Sequence, residues 1–273
     1  MEKIIKNGVR YYVDNSDSYI SVTSLLNVLN PFDKESWLNT LSNKNPHLSR
    51  QKVNDLADEI SKYSTTRGQS IHNQIENYFL NNADLDLEKA SMASLIKEYI
   101  LPEEIEGKKQ VEVQVKYDLN QMRYAGTFDL CCFFQKPFQE YKTGNPIHVG
   151  KSILDWKNTR KIKYSKSYSP RKKQSYYPLT KYFLQLSAYV AGYNSLVEEE
   201  NKINETVVVI NPEKTKLTYV YYCDAPKTMF YWGIFKELYQ SYLEGKPFNW
   251  DYLDYEITLN NAEPQRLLPC LTS

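Results

Sequence analysis

The sequence predicts an α/β or α+β domain in which helices pack against a central sheet. Two observations support this class. Apolar residues recur at helical spacing through roughly the first hundred positions, and the stretch VEVQVKYDL then alternates with period two. From there to about Leu243, strand-like and helical segments alternate along the chain, an order that is typical of a sheet covered by helices.

Composition is that of a soluble globular protein. Hydrophobic residues make up 41% and charged residues 25% of the 273 positions, both ordinary values. No apolar run approaches the roughly 18 residues that cross a bilayer, and the N-terminus lacks the apolar core of a signal peptide. The cysteines Cys131, Cys132, Cys223 and Cys270 form no CxxC pair. We therefore expect a protein of the bacterial or phage-infected host cytoplasm, without membrane association.

The N-terminal third is predicted to contain one hairpin followed by helices. VRYYVDNSDSYISV alternates on both sides of a polar centre, the pattern of a β-hairpin. The next helix is capped by Ser21 or Thr23 and ends before Pro31. Four more helical segments follow, at Asp33–Leu41, Ser49–Tyr63, Ser64–Asn81 and Leu87–Tyr99.

The second part of the chain is predicted to form the sheet. VEVQVKYDL and RYAGTFDLCCFF flank Asp118, Asn120 and Gln121, which suit a hairpin turn. Gln135–Val149 contains two prolines and a glycine and is predicted to be a loop, and KSILDWK is a third strand. The remaining elements are a helix at Tyr182–Glu198, the strands ETVVVINP and KLTYVYYCD around a turn at Pro212–Lys216, and a helix at Lys227–Leu243.

The stretch ILDWK places an acid and a lysine on one side of a strand. Asp155 and Lys157 are two residues apart and share a side, with Trp156 opposite. If this strand pairs with the one that carries Asp129, the two carboxylates converge. Two hard oxygen ligands form a site for Mg²⁺ or Mn²⁺, and a lysine beside them orients water or stabilises developing charge. Taken alone, this spacing is more commonly explained by an exposed ion pair on a solvated strand.

Two helices offer further polar side chains at a spacing of four. His72 and Glu76 share one helix face, and His72 has the chemistry of a metal ligand. Gln185 and Tyr189 share a face of the later helix and could contact a scissile phosphate. Each pair by itself is also explained by a surface pair or by the polar edge of an amphipathic helix.

A basic segment runs from Asn158 to Lys181. It contains two prolines, several tyrosines, eight basic residues and no acid, on a chain whose net charge is only +1. We predict a long loop that binds single-stranded DNA, because cations neutralise phosphates and tyrosine rings stack on unpaired bases; a disordered loop that only aids solubility is the alternative. The candidate DNA-binding residues are Arg67, Arg160, Lys161, Lys163, Tyr164, Lys166, Arg171, Lys172 and Lys173.

Four motifs occur in an order that resembles a known enzyme group. RGQSIHNQIENYF, YAGTFDL, ILDWKNT and QLSAYVAGYN resemble the RecB-like branch of the PD-(D/E)xK nuclease superfamily. Within this branch the chain is most similar to the mitochondrial genome maintenance exonuclease group and its phage and bacterial relatives, from about Ser21 to about Leu243. The N-terminal ISVTSLLNVLNPFDKESW resembles the opening segment of that group.

The resemblance implies an α/β fold with a restriction-endonuclease-like core, a central mixed β-sheet flanked by helices, and a helical N-terminal part. It implies a single nuclease domain over residues 1–273. Its parts would be a mainly helical N-terminal part (1–105), a catalytic sheet (106–223) with a basic loop (158–181), and a C-terminal helix and tail (224–273).

The resemblance also implies a role for each matched residue. The metal ligands would be His72, Asp129, Asp155, the backbone carbonyl of Trp156 and, as a possible further ligand, Glu76. The catalytic residues would be Asp129, Asp155, Lys157, Gln185 and Tyr189. The cofactor would be one or two Mg²⁺ or Mn²⁺ ions. Some relatives carry an iron–sulfur cluster on four cysteines, but here Cys131 and Cys132 lie within a core strand, and we predict no cluster.

The implied activity is a metal-dependent DNA exonuclease that prefers single-stranded DNA with free ends. It would serve DNA replication, recombination or repair, with a possible replication or recombination protein as partner. In related exonucleases, helical N-terminal elements restrict entry to strand ends. The alternatives are a structure-specific or duplex-directed endonuclease, a duplex-resecting recombination exonuclease, a non-catalytic nucleic-acid-binding module, and an adaptor whose acids form only surface ion pairs.

Overall fold

A large mixed sheet runs through the chain, and helices cover both of its faces. The computed structural model describes residues 1–29, 31–159, 177–213 and 216–269. The N-terminal elements are β1 (Glu2–Lys6), β2 (Val9–Asp14), β3 (Asp17–Ser21), α1 (Val22–Leu29), α2 (Lys34–Lys44), α3 (Arg50–Asn81) and α4 (Ala90–Tyr99).

The middle and C-terminal parts contribute most of the sheet. The middle strands are β4 (Ile100–Pro102), β5 (Glu104–Ile105), β6 (Lys108–Lys109), β7 (Val111–Leu119), β8 (Met122–Phe134), β9 (Phe138–Glu140), β10 (Pro146–Ile147) and β11 (Ser152–Thr159). They are followed by α5 (Tyr177–Asn194), a 3-10 turn (Glu199–Asn201), β12 (Glu205–Pro212), β13 (Tyr219–Cys223), α6 (Ala225–Leu243), α7 (Trp250–Leu259) and β14 (Gln265–Pro269).

The main sheet has 12 strands in the order β1-β2-β3-β8-β11-β12-β13-β14-β9-β10, with β7 and β4 also paired to β8. The β3–β8 and β11–β12 pairs are parallel, whereas the pair formed by β11 and β8 is antiparallel. The small β5–β6 hairpin stands apart. The expected α/β class, with a mixed central sheet flanked by helices, is therefore confirmed.

Each face of the sheet buries its own core. Phe128 and Tyr124 of β8 pack with Phe235 of α6 on the face covered by α1, α5 and α6. On the other face, Ile71 of α3 and Leu95 of α4 pack in one cluster with strand residues. No helix in the described ranges is both long enough and apolar enough to span a membrane.

Several predicted boundaries differ from the structure. The two helical segments expected at 49–63 and 64–81 are one helix of 32 residues, α3, because no proline interrupts the sequence between them. The loop expected at 135–149 contains β9 and β10, which pair with each other, and β9 also pairs with β14. The predicted N-terminal hairpin is observed as β2 and β3, and β1 adds a strand that was not predicted; all three join the central sheet.

The ends of the basic segment also differ from the prediction. β11 continues to Thr159, and α5 begins at Tyr177. The loop expected at 158–181 is therefore shorter at both ends, and residues 160–176 lie outside the described residues.

The turn between β7 and β8 sets the register of the sheet at its centre. Asn120 and Gln121 have φ of 53° and 66°, and two left-handed residues are what a two-residue type I′ hairpin loop requires. The ladder then runs from Leu119 paired with Met122 to Val111 paired with Leu130. This register brings position 112 of β7 opposite position 129 of β8.

The β7–β8 pair changes faces at positions 112 and 129. Val113 and Phe128 pack in the core under α5 and α6, whereas Val111 and Leu130 pack in the core under α3 and α4. Glu112 has a φ of 50°, a left-handed value within a strand. Such a residue bends and twists a strand pair locally, so this kink turns polar side chains out of both cores at one place.

Helix α3 connects two separately packed parts of the molecule. Its first half buries Val53 and Ala57 against Leu38 and Leu41 of α2, and its second half buries Ile71 and other residues against the sheet. Between these halves, residues 61–66 are exposed on every side of the helix. We call residues 61–66 the α3 bridge; it is roughly 9 Å long.

Candidate functional site

The candidate site lies where two strands diverge along one edge of β8. The ladder between β11 and β8 ends at Leu154 and Leu130, and the ladder between β3 and β8 begins at Ala125. Between these ladders, along residues 126–129, β11 and β3 separate. We call this place the fork. The Asp129 side chain spans part of it, because Asp129 Oδ2 accepts a hydrogen bond of 2.6 Å from the Trp156 backbone N–H.

Three acids form a row across β8 next to the fork. Asp155 follows Leu154, whose partner is Leu130, so the register continues to Asp155 opposite Asp129. On the other edge of β8, the hairpin register places Glu112 opposite Asp129. Asp129 and Asp155 are both buried. The predicted convergence of the two aspartates is therefore observed, and the exposed ion pair considered as an alternative is not.

His72 reaches the row of acids from α3. Its Nδ1 lies 3.3 Å from Asp129 Oδ1 and 3.9 Å from Glu112 Oε1, and its Nε2 lies 3.2 Å from the Trp156 carbonyl oxygen. Burial lowers the pKa of His72, but the carboxylates of Asp129 and Glu112 outweigh it and raise the pKa to about 10. The imidazole is thus protonated at neutral pH and donates from both nitrogens.

Donor atoms of His72, Glu112 and Asp129 lie within 4.8 Å of one another. One imidazole nitrogen and two carboxylate oxygens form a donor set that divalent cations accept. In the metal-free chain the protonated imidazole balances the charge of these acids, and a bound cation would replace the proton of the ligating nitrogen. The Trp156 carbonyl oxygen, a predicted ligand, is in contact with the His72 ring of this group. Two predicted ligands are not members of this group among the described residues: Asp155, which is paired with Lys157, and Glu76, the possible further ligand, which lies one turn along α3.

Glu112 was missed in the sequence, although a signal for it was present. The predicted turn at Asn120 and Gln121 fixes a two-residue loop, and counting back along the hairpin from Asp129 leads to Glu112. The left-handed backbone of Glu112 had no such signal, because it depends on the packing of both cores.

Lys157 stands beside the acids and against an aromatic ring. Its ammonium forms an ion pair with the Asp155 carboxylate and lies 5.2 Å from the ring centroid of Tyr182. Burial raises the pKa of Asp155. The Lys157 ammonium lowers this pKa and the Asp129 carboxylate raises it, so the net shift is upward. Burial lowers the pKa of Lys157, but Asp155 and Asp129 more than offset this, so it stays charged.

Helix α5 forms the wall opposite α3. Tyr182, Gln185 and Tyr189 share one face, since they are three and four residues apart. Gln185 Nε2 donates to the Tyr189 hydroxyl at 3.0 Å, and both side chains are buried. They are therefore not a solvated edge of the helix. Tyr182 was missed, and its helical spacing from Gln185 was the signal that could have found it.

The Tyr189 ring lies directly against the backbone of β8. A Cβ placed on Gly126 would be 2.2 Å from Tyr189 Cε1, so only glycine allows the ring this position. A glycine inside a strand commonly marks such a close approach. Burial raises the pKa of Tyr189 well above its usual value, and its hydroxyl stays protonated.

Most of the candidate DNA-binding residues lie outside the described ranges. Arg67 is the one member within the described ranges. Its side chain is 10% exposed and lies 3.4 Å from Glu88, and its role as a DNA contact stays a prediction. The other predicted contacts fall within residues 160–176, outside the described residues: Arg160, Lys161, Lys163, Tyr164, Lys166, Arg171, Lys172 and Lys173.

The described cysteines are buried free thiols. Cys131 packs in the core under α5 and α6 and Cys132 in the core under α3 and α4, as alternate positions of a strand do. Cys223 is also buried, and Cys270 lies outside the described residues. The expected lack of an iron–sulfur cluster stays a prediction.

Comparisons with known proteins do not identify a family for this chain. No protein-family model matches the chain, and no curated protein is similar to it. One solved structure, described as "Crystal structure of SSO0001", is similar over 91% of this chain and 87% of that chain, with 12% sequence identity and a TM-score of 0.37. A likeness of this size is too weak to assign a fold or a function.

Proposed function

We propose that the chain is a metal-dependent deoxyribonuclease of the RecB-like branch of the PD-(D/E)xK superfamily, with a restriction-endonuclease-like core. The proposed reaction is hydrolysis of phosphodiester bonds in single-stranded DNA, starting from a free end. The observation that supports it best is the meeting of Asp129, Asp155, Lys157 and His72 at the fork. These residue types, drawn from three separate elements, form one buried polar site.

The row of acids would hold the cation. Glu112, Asp129 and His72 supply two carboxylates and an imidazole whose donor atoms lie within 4.8 Å of one another. Asp155, which is paired with Lys157, and the Trp156 carbonyl, 3.2 Å from His72, lie next to this group. The proposed cofactor is one or two Mg²⁺ or Mn²⁺ ions. When bound, such an ion polarises a phosphoryl oxygen and lowers the pKa of bound water.

The remaining residues of the site have separable roles. Lys157 keeps a charged ammonium next to Asp155, where it can orient the attacking water or stabilise negative charge that develops on the phosphoryl group. Gln185 and Tyr189 hold each other on the opposite wall and can donate to a phosphate oxygen. Tyr182 holds the ammonium against its ring.

The preference for DNA ends is supported by helix α3. The α3 bridge is exposed on every side and connects the α2 region to the sheet. His72 lies on the same helix, six residues beyond the end of the bridge. A helix that is exposed along this length and also carries a residue of the site would limit how a chain enters the site, and a strand with a free end would enter most readily. Partners in replication or recombination would supply the DNA.

Digestion of an end-labelled single-stranded oligonucleotide with Mg²⁺ or Mn²⁺ tests the proposal. We expect cleavage by the wild type, and a loss of about 100-fold or more in Lys157→Ala. EDTA should abolish cleavage. Lys246→Ala changes an exposed lysine and should digest DNA at the wild-type rate. The label position reports which end is attacked.

The same assay separates the alternatives. Efficient cutting of circular single strands, or of duplex junctions, would replace the exonuclease with an endonuclease of the same superfamily. No cleavage of any substrate with either metal, in a protein that still binds DNA, would leave a non-catalytic nucleic-acid-binding module.

A further inference from the structure

A cavity of about 260 Å³ lies on the other side of α3 from the fork. Its walls include Tyr63, Arg67 and Gln74 of α3, and Leu87 and Glu88 of the segment that leads to α4. The α3 residues recur at intervals of four and seven, so they share one helix face. His72 follows Arg67 by five residues, which turns it about 140° around the helix and moves it roughly 7.5 Å along it. The cavity is therefore separate from the row of acids.

Two side chains of this cavity have polar atoms without partners. The Arg67 side chain is nine-tenths buried, yet its Nε has no hydrogen-bond partner among the described residues. Its contact with the Glu88 carboxylate is long, at 3.4 Å, and the Glu88 side chain is 74% exposed. Gln74 Oε1 is also buried, and no described residue is its hydrogen-bond partner. Both atoms are enclosed by protein, and a buried donor or acceptor without a partner is costly. Because both residues line the cavity, a turn of either side chain would let a ligand there satisfy the group.

The charges around the cavity decide the class of ligand. Arg67 faces two carboxylates, Asp86 and Glu88, so the lining has one positive and two negative groups. Lys89, the next cation, is buried and donates to the Pro212 carbonyl oxygen, away from any ligand. A phosphate group would meet more negative than positive charge here. A neutral, flat group with both donors and acceptors avoids this repulsion.

The size and the apolar walls fit a single ring system. The volume lies just below the roughly 300–1,000 Å³ of pockets for larger ligands. The Tyr63 ring and the Leu87 side chain supply apolar surface, and bases stack on tyrosine rings in proteins that bind single strands.

We propose that this cavity binds one unpaired nucleobase of the DNA substrate, with guanine preferred. Arg67 would donate to the O6 and N7 acceptors of guanine, the commonest specific contact of arginine with a base. The N1–H and N2 amino groups would donate to Gln74 Oε1 and the Glu88 carboxylate. The proposal rests on the proposed function for the source of the base, and it adds a base preference to an otherwise sequence-independent enzyme.

Binding of the four deoxynucleoside monophosphates to the full chain in EDTA tests this assignment. All four carry the same phosphate, so differences in affinity report the base. We expect dGMP to bind at least about fivefold more tightly than dAMP, dCMP or TMP. Arg67→Gln and Gln74→Leu should each weaken dGMP binding about tenfold, and Lys62→Gln, at an exposed position of the same helix, should not.

Equal affinity for the four nucleotides, displacement of dGMP by inorganic phosphate, or unchanged dGMP binding in Gln74→Leu would overturn the assignment. The four-nucleotide comparison uses the wild type, so it holds even where Arg67→Gln fails to fold. The titration contains no metal and no cleavage step. A failure of the base pocket is therefore distinct from a failure of the nuclease, which digestion of a guanine-free oligonucleotide measures.

Discussion

The fork and the Arg67 side of α3 both bury polar side chains, but they differ in how these are partnered. At the fork, the Asp129 carboxylate accepts from the Trp156 N–H and lies against His72. On the Arg67 side, the Arg67 Nε and Gln74 Oε1 atoms have no partner among the described residues. Side chains that are already paired by hydrogen bonds and ion pairs form a preorganised site. Groups left without partners define a site that a ligand completes.

The largest expected effect is on the free energy of unfolding, and it comes from substituting two glycines, one in each region. Gly126→Ala puts a Cβ into the buried Tyr189 ring at the fork, and overpacking of this kind costs about 1–3 kcal/mol. Gly68→Ala, on α3, meets nothing within 4 Å and should stabilise the helix by about 0.5–1 kcal/mol. Urea unfolding of both variants measures the difference. Equal stabilities would mean that the fork is less tightly packed than its geometry indicates.

The second effect is a dependence of stability on pH, which comes from His72. Its pKa is about 10 in the folded chain and near 6.5 in an unfolded one. The stabilisation is therefore complete below pH 6.5 and is lost as the pH rises towards 10. Between pH 7 and pH 9 the metal-free protein should lose about 2 kcal/mol from this group. Thermal unfolding of His72→Asn should show a shallower loss.

His47→Asn is the matched control for this experiment, because His47 is exposed on the surface. It should follow the wild type at each pH. If His72→Asn also followed the wild type, the histidine would not be held by the acids in the way the contacts indicate.

The smallest effect compares two glutamates for metal binding. Glu112→Gln removes a charge from the row of acids and should weaken Mn²⁺ binding about tenfold, or 1.4 kcal/mol. Glu76→Gln changes the residue that the sequence nominated, which lies outside the group of donors, and should leave the affinity nearly unchanged. Isothermal titration with Mn²⁺ gives both values. The reverse ranking would restore Glu76 as the ligand.

The acids of the fork could be predicted from the sequence because they depend on local patterns. Period-two alternation located β8 and β11, and the pairing of these two strands brings Asp129 and Asp155 together. His72 followed from helical spacing and from a motif order that resembles a known superfamily. Glu112 could have been found by counting along the hairpin, but its left-handed backbone is imposed by the two cores.

The Arg67 side of α3 could not be predicted, because its second wall has no pattern. Asp86, Leu87 and Glu88 precede α4 without helical or strand periodicity, and their position depends on the burial of neighbours such as Leu85. Arg67 therefore looked like an exposed cation in the sequence. The continuity of α3 was missed for a related reason, since its exposed middle lacks the apolar stripe that normally identifies a helix.

The short turn between β7 and β8 sets a limit on how the length of this chain can change during evolution. One residue inserted between Asn120 and Gln121 has to be absorbed by a three-residue loop or it shifts the hairpin register. A shift by one moves every side chain of a strand to the other side of the sheet. Glu112 would then leave Asp129 and His72, although both strands could still form. Insertions and deletions should therefore accumulate in loops away from this turn, and a homologue with a longer turn should bind its metal with a different set of ligands.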